Sequence, residues 1–138
     1  MDHSQITTLA ISNPPGSANS PKIGSIIVTT PHTLAVKDAV KGINMFRKVN
    51  VPILGLVQNM SLFHCPSCGS ETAVFGSSER VRGVCRDQSI DFLGDVPLHQ
   101  SIADDAHDGK PTVVSEPGSE RAAVFMDIAK AVGGKIGL

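Results

Sequence analysis

The chain has 138 residues, of which 41% are hydrophobic and 18% charged, and its formal net charge is −1. This length suits a single domain, and the composition supports an ordinary buried core. The near-neutral charge gives no electrostatic basis for binding nucleic acid, and no apolar run approaches the ~20 residues needed to cross a bilayer. With five Phe and neither Trp nor Tyr, the chain offers few side chains for base stacking. We therefore expect a small globular domain without an integral membrane segment.

Residues 1–22 are predicted to form a flexible or irregular lead. They are rich in Ser, Thr, Asn and Pro, with Pro14-Pro15-Gly16 in the middle, so they bury little apolar surface. They match neither the basic and apolar pattern of a secretory signal nor the Arg-rich pattern of a mitochondrial presequence. The odd count of three cysteines also disfavours a secreted disulfide framework, which indicates a reducing compartment.

Residues 23–138 are predicted to begin with a strand and a helix. The β-branched run Ile26-Ile27-Val28 is typical of a buried strand, and Pro31 then favours an extended chain before the helix. From Leu34 to Lys48 apolar residues recur with the helical period, and Thr33 is the expected N-cap. The continuous apolar character of the strand predicts burial on both faces, as in a parallel sheet.

The chain then repeats this alternation of strand and helix. A second buried strand runs from Ile53 to Val57 and ends at Gln58-Asn59. Strand, helix and strand within ~35 residues predict a parallel pair joined by a right-handed crossover. The later predicted elements are a helix over Ser77–Asp87, a strand over Ile90–Val96 that ends at Pro97, a helix over Ser101–His107, and a final helix that starts at Pro117-Gly118-Ser119 and stops at Gly133-Gly134.

These elements predict an α/β fold in which helices flank a parallel sheet. Three predicted strands make a thin sheet, because sheets average ~5–6 strands and buried parallel strands need helices on both faces. We therefore expect either that residues 1–22 contribute to the sheet or that the chain is part of a larger unit. Ligands are expected beyond the carboxyl ends of the strands.

The clearest chemical motif is Cys65-Pro66-Ser67-Cys68-Gly69, which follows a predicted strand. Two cysteines at this spacing can place both sulfurs on one metal, whereas structural zinc and a cysteine-held [4Fe–4S] cluster each require four ligands. Two ligands per chain favour a site that a second copy completes across a twofold axis. Two alternatives stay open: a zinc knuckle with other ligands, and a redox dithiol, although the residues after Cys68 are a poor helix start.

The other candidate ligands are expected to serve the structure. Cys85 lies in an apolar neighbourhood of a predicted helix, where a lone cysteine is usually a small buried hydrophobe. His32, His99 and His107 are expected to be solvated or packed. The sequence contains no G-x-x-x-x-G-K-[ST] loop, so nothing in it can cradle a triphosphate by itself. The scattered acidic residues are expected to lie on a solvated surface. They are Asp91, Asp95, Asp104, Asp105 and Asp108.

Six segments carry a family resemblance. They are Thr30-Pro31-His32-Thr33-Leu34-Ala35, Asp38-Ala39-Val40-Lys41-Gly42-Ile43-Asn44-Met45-Phe46, Gly55-Leu56-Val57-Gln58-Asn59-Met60-Ser61, Cys65-Pro66-Ser67-Cys68, Val74-Phe75-Gly76 and Leu93-Gly94-Asp95-Val96-Pro97-Leu98. In this order they resemble the Mrp/NUBPL-type iron–sulfur carriers, which belong to the MinD-like P-loop ATPases. The likeness extends from about Gly24 to the C-terminus, and it is closest to the mitochondrial branch that helps assemble respiratory complex I.

The resemblance implies a site and a function. Members dimerise and hold a labile [4Fe–4S] cluster between subunits through two cysteines, here Cys65 and Cys68. They bind ATP, and Asn59 and Pro97 match positions near the adenine in related proteins. The expected function is that of a carrier or assembly factor that matures apo iron–sulfur proteins such as complex I, with a second copy or a related subunit as partner. The resemblance implies a mitochondrial location, with the cytoplasm as the alternative.

The chain departs from the family pattern on its N-terminal side. Members carry a phosphate loop with its signature Lys and a switch resembling D-x-P-P-G-T-G, whereas this sequence has Ser12-Asn13-Pro14-Pro15-Gly16-Ser17. We therefore expect a partial P-loop NTPase fold that lacks the phosphate-loop half, looks like the carboxyl-terminal half of a carrier, and does not hydrolyse ATP alone. The alternatives to a carrier are a zinc-knuckle adaptor and a degenerate, non-catalytic fragment.

Overall fold

The computed structural model of the chain describes residues 5–10 and 23–137. In these ranges the chain forms one mixed sheet with helices packed against it. The strands are β1 (Gln5–Ala10), β2 (Ile23–Thr29), β3 (Ile53–His64), β4 (Glu71–Thr72) and β5 (Phe92–Leu98), and the helices are α1 (Thr33–Lys48), α2 (Glu79–Gln88), α3 (Gln100–His107), α4 (Thr112–Ser115) and α5 (Glu120–Ile136).

Strand β3 is the centre of the sheet. It pairs in parallel with β2 on one edge and with β5 on the other, so that Leu56 lies beside Ile27 and Asn59 lies beside Val96. β1 pairs antiparallel with β2, and β4 pairs antiparallel with the last two residues of β3. The three parallel strands and their helical crossovers confirm the predicted α/β class.

The largest departure from the predicted elements is the length of β3. The strand continues past the expected end at Gln58-Asn59 and reaches His64. The ladder is irregular where the end was expected, since Met60 has a φ of 54° and the register with β5 shifts between Asn59 and Phe63. Backbone pairing with β4 and β5 holds the added residues in a strand beyond this irregularity.

Strand β1 lies within residues 1–22, for which the sequence predicts a flexible or irregular lead. All six residues of β1 pair with β2. The pairing satisfies N–H and C=O groups along the edge of β2 that faces away from β3, a role that composition does not reveal. Residues 1–4 and 11–22, which include Ser12–Ser17, lie outside the described residues, and the boundary between residues 22 and 23 stays a prediction.

The core lies between the sheet and helices α1 and α2. Helix α1 buries the face that its apolar period predicts, except that Val40 is only partly buried. Cys85 is 6% exposed and packs in this core, which confirms its interpretation as a small buried residue. The buried cluster comprises Ile27, Val36, Ala39, Ile43, Phe46, Leu56, Val81, Cys85 and Ile90.

Two helix ends differ from their predicted positions. The N-cap of α1 is His32 rather than Thr33, because Nδ1 of His32 accepts the N–H of Leu34 at 3.2 Å. Helix α5 runs through Gly133-Gly134, the predicted stop, and ends at Gly137, whose φ is 81°. Each interior glycine costs about 1 kcal/mol relative to alanine. The burial of Val132 and the ion pair between Lys135 and Asp91 oppose this cost.

The close approach of α5 to β5 depends on Gly94. A Cβ atom at this position would lie 2.9 Å from Cγ1 of Ile128 on α5, which is too close for a side chain. Glycine therefore lets the helix lie against the strand. Within the described residues, none of the helices has the length and apolar character needed to cross a membrane.

Candidate functional site

The two cysteines of the C-x-x-C motif lie at the tip of a short hairpin. Strand β3 ends at His64, β4 returns from Glu71, and residues 65–70 connect them. The N–H of Cys65 donates to the C=O of Ser70 at 2.9 Å, and the N–H of Gly69 donates to the C=O of Cys65 at 2.8 Å. These hydrogen bonds close the connection into one tight turn that carries both cysteines.

Gly69 gives the turn its conformation. Its φ of 72° lies in the left-handed region, where side chains with a Cβ atom are disfavoured. Nothing lies within 4 Å of a Cβ atom built at this position, so the requirement comes from the backbone and not from crowding. The glycine of the motif thus allows the chain to reverse directly after Cys68.

The surroundings of Cys68 favour its thiolate. Its Sγ lies 3.1 Å from Oγ of Ser70. The pKa of Cys68 is lowered, chiefly by the hydroxyl and then the backbone of Ser70, with a smaller contribution from the side chain of Cys65. The thiolate is the form that binds metals.

The described part of the chain provides two sulfur ligands here and no more. Among these residues no group of three or more His, Cys, Asp and Glu side chains could hold a metal ion. Nδ1 of His64 lies 3.5 Å from Oε1 of Glu71 across the base of the hairpin. The side chain of His99 accepts the N–H of Ser101 as the N-cap of α3, a structural role like that of His32.

The environment of the cysteines disfavours a redox dithiol. Such a pair usually lies at a helix N-terminus, which stabilises the thiolate of the first cysteine. Here strand β4 follows the turn, and the next helix begins only at Glu79. Two sulfurs in one exposed turn fit a shared metal centre better, and this centre needs further ligands.

A cavity of about 490 Å³ opens at the carboxyl ends of β3 and β5. Pro97 lines it, together with residues from the start of α5 and with His64, which precedes the first cysteine. The location agrees with the rule that ligands of open α/β sheets bind beyond the carboxyl ends of the strands. Strand β3 therefore connects the edge of this cavity with the cysteine hairpin.

Asn59 lies close to this cavity in the sheet but is not one of the residues that line it. It pairs with Val96, the residue before Pro97, so the two predicted positions are brought together. Oδ1 of Asn59 accepts the N–H of Met60 at 2.9 Å. The side-chain oxygen of Asn59 is therefore hydrogen-bonded to the next residue, and the side-chain N–H₂ group is the end of the amide that can meet a ligand.

A buried polar network beside the cavity is absent from the sequence-based prediction. Gln58 is fully buried, and its Nε2 donates to Oγ of Ser78 and to Oδ1 of Asp95, each at 2.8 Å. Asp95 is half-buried, contrary to the expectation of a solvated side chain, and burial raises its pKa despite the nearby Arg82 guanidinium. Only the register between β3 and β5 brings Gln58 and Asp95 together.

Comparison with known proteins identifies the family of the chain. The family model described as a ParA-type NUBPL iron-transfer P-loop NTPase matches residues 3–133. The iron-sulfur cluster transfer protein NUBPL of Mus musculus is 46% identical over 96% of the chain and 44% of its own length. The iron-sulfur protein required for NADH dehydrogenase of Arabidopsis thaliana is 39% identical over 96% of the chain and 44% of its own length. The chain thus spans less than half the length of these relatives.

Solved structures give the same assignment for the fold. The nucleotide-binding protein of Archaeoglobus fulgidus in complex with ADP matches 73% of the chain and 40% of its own, with 30% identity and a TM-score of 0.57. The cell division ATPase MinD of Pyrococcus furiosus matches 79% of the chain and 41% of its own, with 23% identity and a TM-score of 0.62. The described fold is thus a partial MinD-like P-loop fold, as the sequence predicts. The chain belongs to the family of NUBPL iron-transfer P-loop NTPases.

Proposed function

We propose that this chain is an iron–sulfur cluster carrier, in which two copies hold one [4Fe–4S] cluster through Cys65 and Cys68 and deliver it to apo iron–sulfur proteins. The observation that carries the proposal is the incomplete ligand set: two cysteines in one tight turn, with no third ligand gathered around them among the described residues. A [4Fe–4S] cluster takes four thiolates, which two copies supply. The family membership supports iron and sulfide as the cargo.

The form of the hairpin supports assembly between two copies. Its tip is exposed, so two tips can meet across a twofold axis with both cysteine pairs facing one centre. Phe63 and Val74 flank the hairpin and are 36% and 54% exposed, which gives apolar surface for contact with a second copy. We infer that the loaded protein is a dimer.

The recipients are inferred from the relatives. The Arabidopsis relative is named for its requirement by NADH dehydrogenase and for the mitochondrion. We therefore propose that this chain acts in the mitochondrion and serves apoproteins that include those of respiratory complex I. Delivery requires the cluster to leave its carrier, and ligation by cysteines in an exposed turn is suited to such exchange.

We further propose that the cavity beside Pro97 receives the base of a nucleotide such as ATP. The N–H₂ group of Asn59 can donate to an acceptor on a base edge. The solved structure from Archaeoglobus fulgidus is a complex with ADP, which supports nucleotide binding by this fold. Since the sequence lacks a G-x-x-x-x-G-K-[ST] loop, we expect this chain to contact the base and not to hydrolyse ATP alone.

Anaerobic reconstitution with iron and sulfide tests the carrier proposal. We expect a brown dimer with about four irons per two chains. Cys65→Ser and Cys68→Ser each remove a ligand and should leave the protein colourless. Cys85→Ala is the matched control: this thiol is 6% exposed within the core, so its loss should leave the iron content unchanged.

Two outcomes would contradict the carrier proposal. A colourless monomer whose properties do not change in Cys65→Ser would show that the cysteines do not assemble a shared cluster. Zinc that binds stoichiometrically under reducing conditions, and that iron and sulfide do not displace, would instead favour a zinc-knuckle adaptor.

A further inference from the structure

The two thiols of the hairpin differ in their surroundings. Cys65 is partly buried, and both its N–H and its C=O are hydrogen-bonded within the turn. Cys68 is exposed, and Oγ of Ser70 lies 3.1 Å from its sulfur. Within one chain, Cys65 is therefore the more firmly held of the two sulfur ligands, and Cys68 is the more accessible one.

The hydrogen bond at Cys68 has a defined direction once the sulfur binds iron. A thiolate carries no proton, so only the hydroxyl of Ser70 can donate. The backbone C=O of Ser70 accepts the N–H of Cys65, which fixes this residue at the closure of the turn. The hydroxyl is thus held beside the sulfur by the same hydrogen bond that forms the hairpin.

We propose that Cys68 is the ligand that leaves first when the cluster passes to an acceptor, and that Ser70 is a positioning residue that assists its departure. This inference rests on the proposed carrier function. A thiolate of the acceptor forms a bond to iron while the bond between iron and Sγ of Cys68 breaks. Cys68 leaves as a thiolate, the hydrogen bond from Ser70 stabilises its charge, and the oxidation state of the cluster does not change.

The transfer rate from the reconstituted dimer tests the role of Ser70. A synthetic peptide with four cysteines serves as the acceptor, and circular dichroism follows the cluster. Ser70→Ala should slow transfer about two- to tenfold, the effect of one modest hydrogen bond. Ser70→Thr keeps the hydroxyl and should transfer at the wild-type rate. Ser67→Ala removes a hydroxyl from the same turn and should also leave the rate unchanged.

The reduction potential of the bound cluster provides a readout that a merely structural role would not change. Hydrogen bonds to the ligating sulfurs stabilise the more negative, reduced cluster and so raise its potential. Ser70→Ala should therefore shift the midpoint potential to a more negative value, and Ser70→Thr should restore it. Iron content after reconstitution shows whether each variant loads the cluster as the wild type does.

The order of ligand exchange is tested by labelling during transfer. Quenching with a maleimide at early times, followed by mass mapping, should find the label on Cys68 before Cys65. Earlier label on Cys65, or a loaded Ser70→Ala dimer with the wild-type rate and potential, would overturn this inference and leave the carrier function standing. A wild-type protein that takes up no cluster would overturn the proposed function itself.

Discussion

Gly69 determines whether both cysteines can occupy one turn. Its φ of 72° lies in a region where a residue with a Cβ atom costs about 1–2 kcal/mol. Gly69→Ala should therefore strain the turn and shorten the half-life of the bound cluster against an iron chelator. Gly118→Ala is the control, because that glycine has open space around its Cβ position and no left-handed φ. Equal half-lives for the two variants would show that the turn does not need a glycine.

The lowered pKa of Cys68 predicts its behaviour in the metal-free protein. The hydroxyl of Ser70 is the main cause, so the thiolate of Cys68 persists to lower pH than that of an ordinary cysteine. Iodoacetamide should modify Cys68 rapidly near neutral pH, and Ser70→Ala should move the pH profile of this reaction upward. Burial raises the pKa of Cys85, which should react only after unfolding. An unchanged profile in Ser70→Ala would contradict this assignment.

Asp95 should make stability depend on pH in an unusual direction. Burial raises the pKa of its carboxyl in the folded protein above the ordinary value of 3.8, so the folded state binds a proton more tightly than the unfolded state does. The contribution of Asp95 to the free energy of unfolding should therefore fall as the pH rises through the interval between the two pKa values.

Asp95→Asn tests this direction by urea unfolding at a series of pH values. The variant keeps an oxygen that can accept from Nε2 of Gln58, but it has no proton to lose. Relative to the variant, the wild type should become less stable as the pH rises from about 4 towards neutrality. A stability difference that stays constant with pH, or that changes in the opposite direction, would contradict the raised pKa.

At single residues, the sequence predicts the burial of Cys85 correctly, whereas the metal site of Cys65 and Cys68 stays a prediction. The spacing of Cys65 and Cys68 indicates a shared site, and the apolar neighbourhood of Cys85 predicts its burial. The partners Ser70, Gln58 and Asp95 are not predictable in this way. Their contacts depend on how the hairpin closes and on the shifted register between β3 and β5, and neither property has a local signature.

At the scale of elements, periodicity predicts α1 and the first half of β3, because apolar spacing and burial agree there. Periodicity does not predict the strand segments that are formed by backbone pairing. β1 and the second half of β3 are strands because neighbouring strands accept and donate their hydrogen bonds. Helix α5 passes Gly133-Gly134 despite a local preference of about 1 kcal/mol per glycine, and the ion pair between Lys135 and Asp91 ties its last turn to the residue before β5.

The packing of α1 predicts a contrast between its two faces. Ile43 is fully buried against the sheet, whereas Leu34 is 64% exposed at the start of the same helix. Ile43→Ala should lower the free energy of unfolding by about 2–5 kcal/mol, since it leaves a cavity in the core. Leu34→Ala should change it by less than about 0.5 kcal/mol. Urea unfolding followed by far-UV circular dichroism measures both, and similar effects would contradict the assigned face.

At the scale of the whole molecule, one strand connects the two candidate sites. β3 runs from the centre of the sheet, past Asn59 and then along the cavity, to the hairpin with Cys65 and Cys68. The residues of β3 that line the cavity, Ser61, Leu62 and His64, lie between the irregular ladder at Met60 and the cysteine turn. A base bound beside Pro97 would thus contact the segment that leads to the cluster ligands.

In the proposed carrier, two chains share one cluster, since each chain contributes half of the required thiolates. Anaerobic native mass spectrometry of the reconstituted protein tests it most directly, because the measured mass counts chains and inorganic atoms together. We predict a species whose mass equals two chains plus one [4Fe–4S] cluster, and its absence from Cys65→Ser. A single chain that carries a complete cluster, or a dimer that carries one cluster on each chain, would contradict the account.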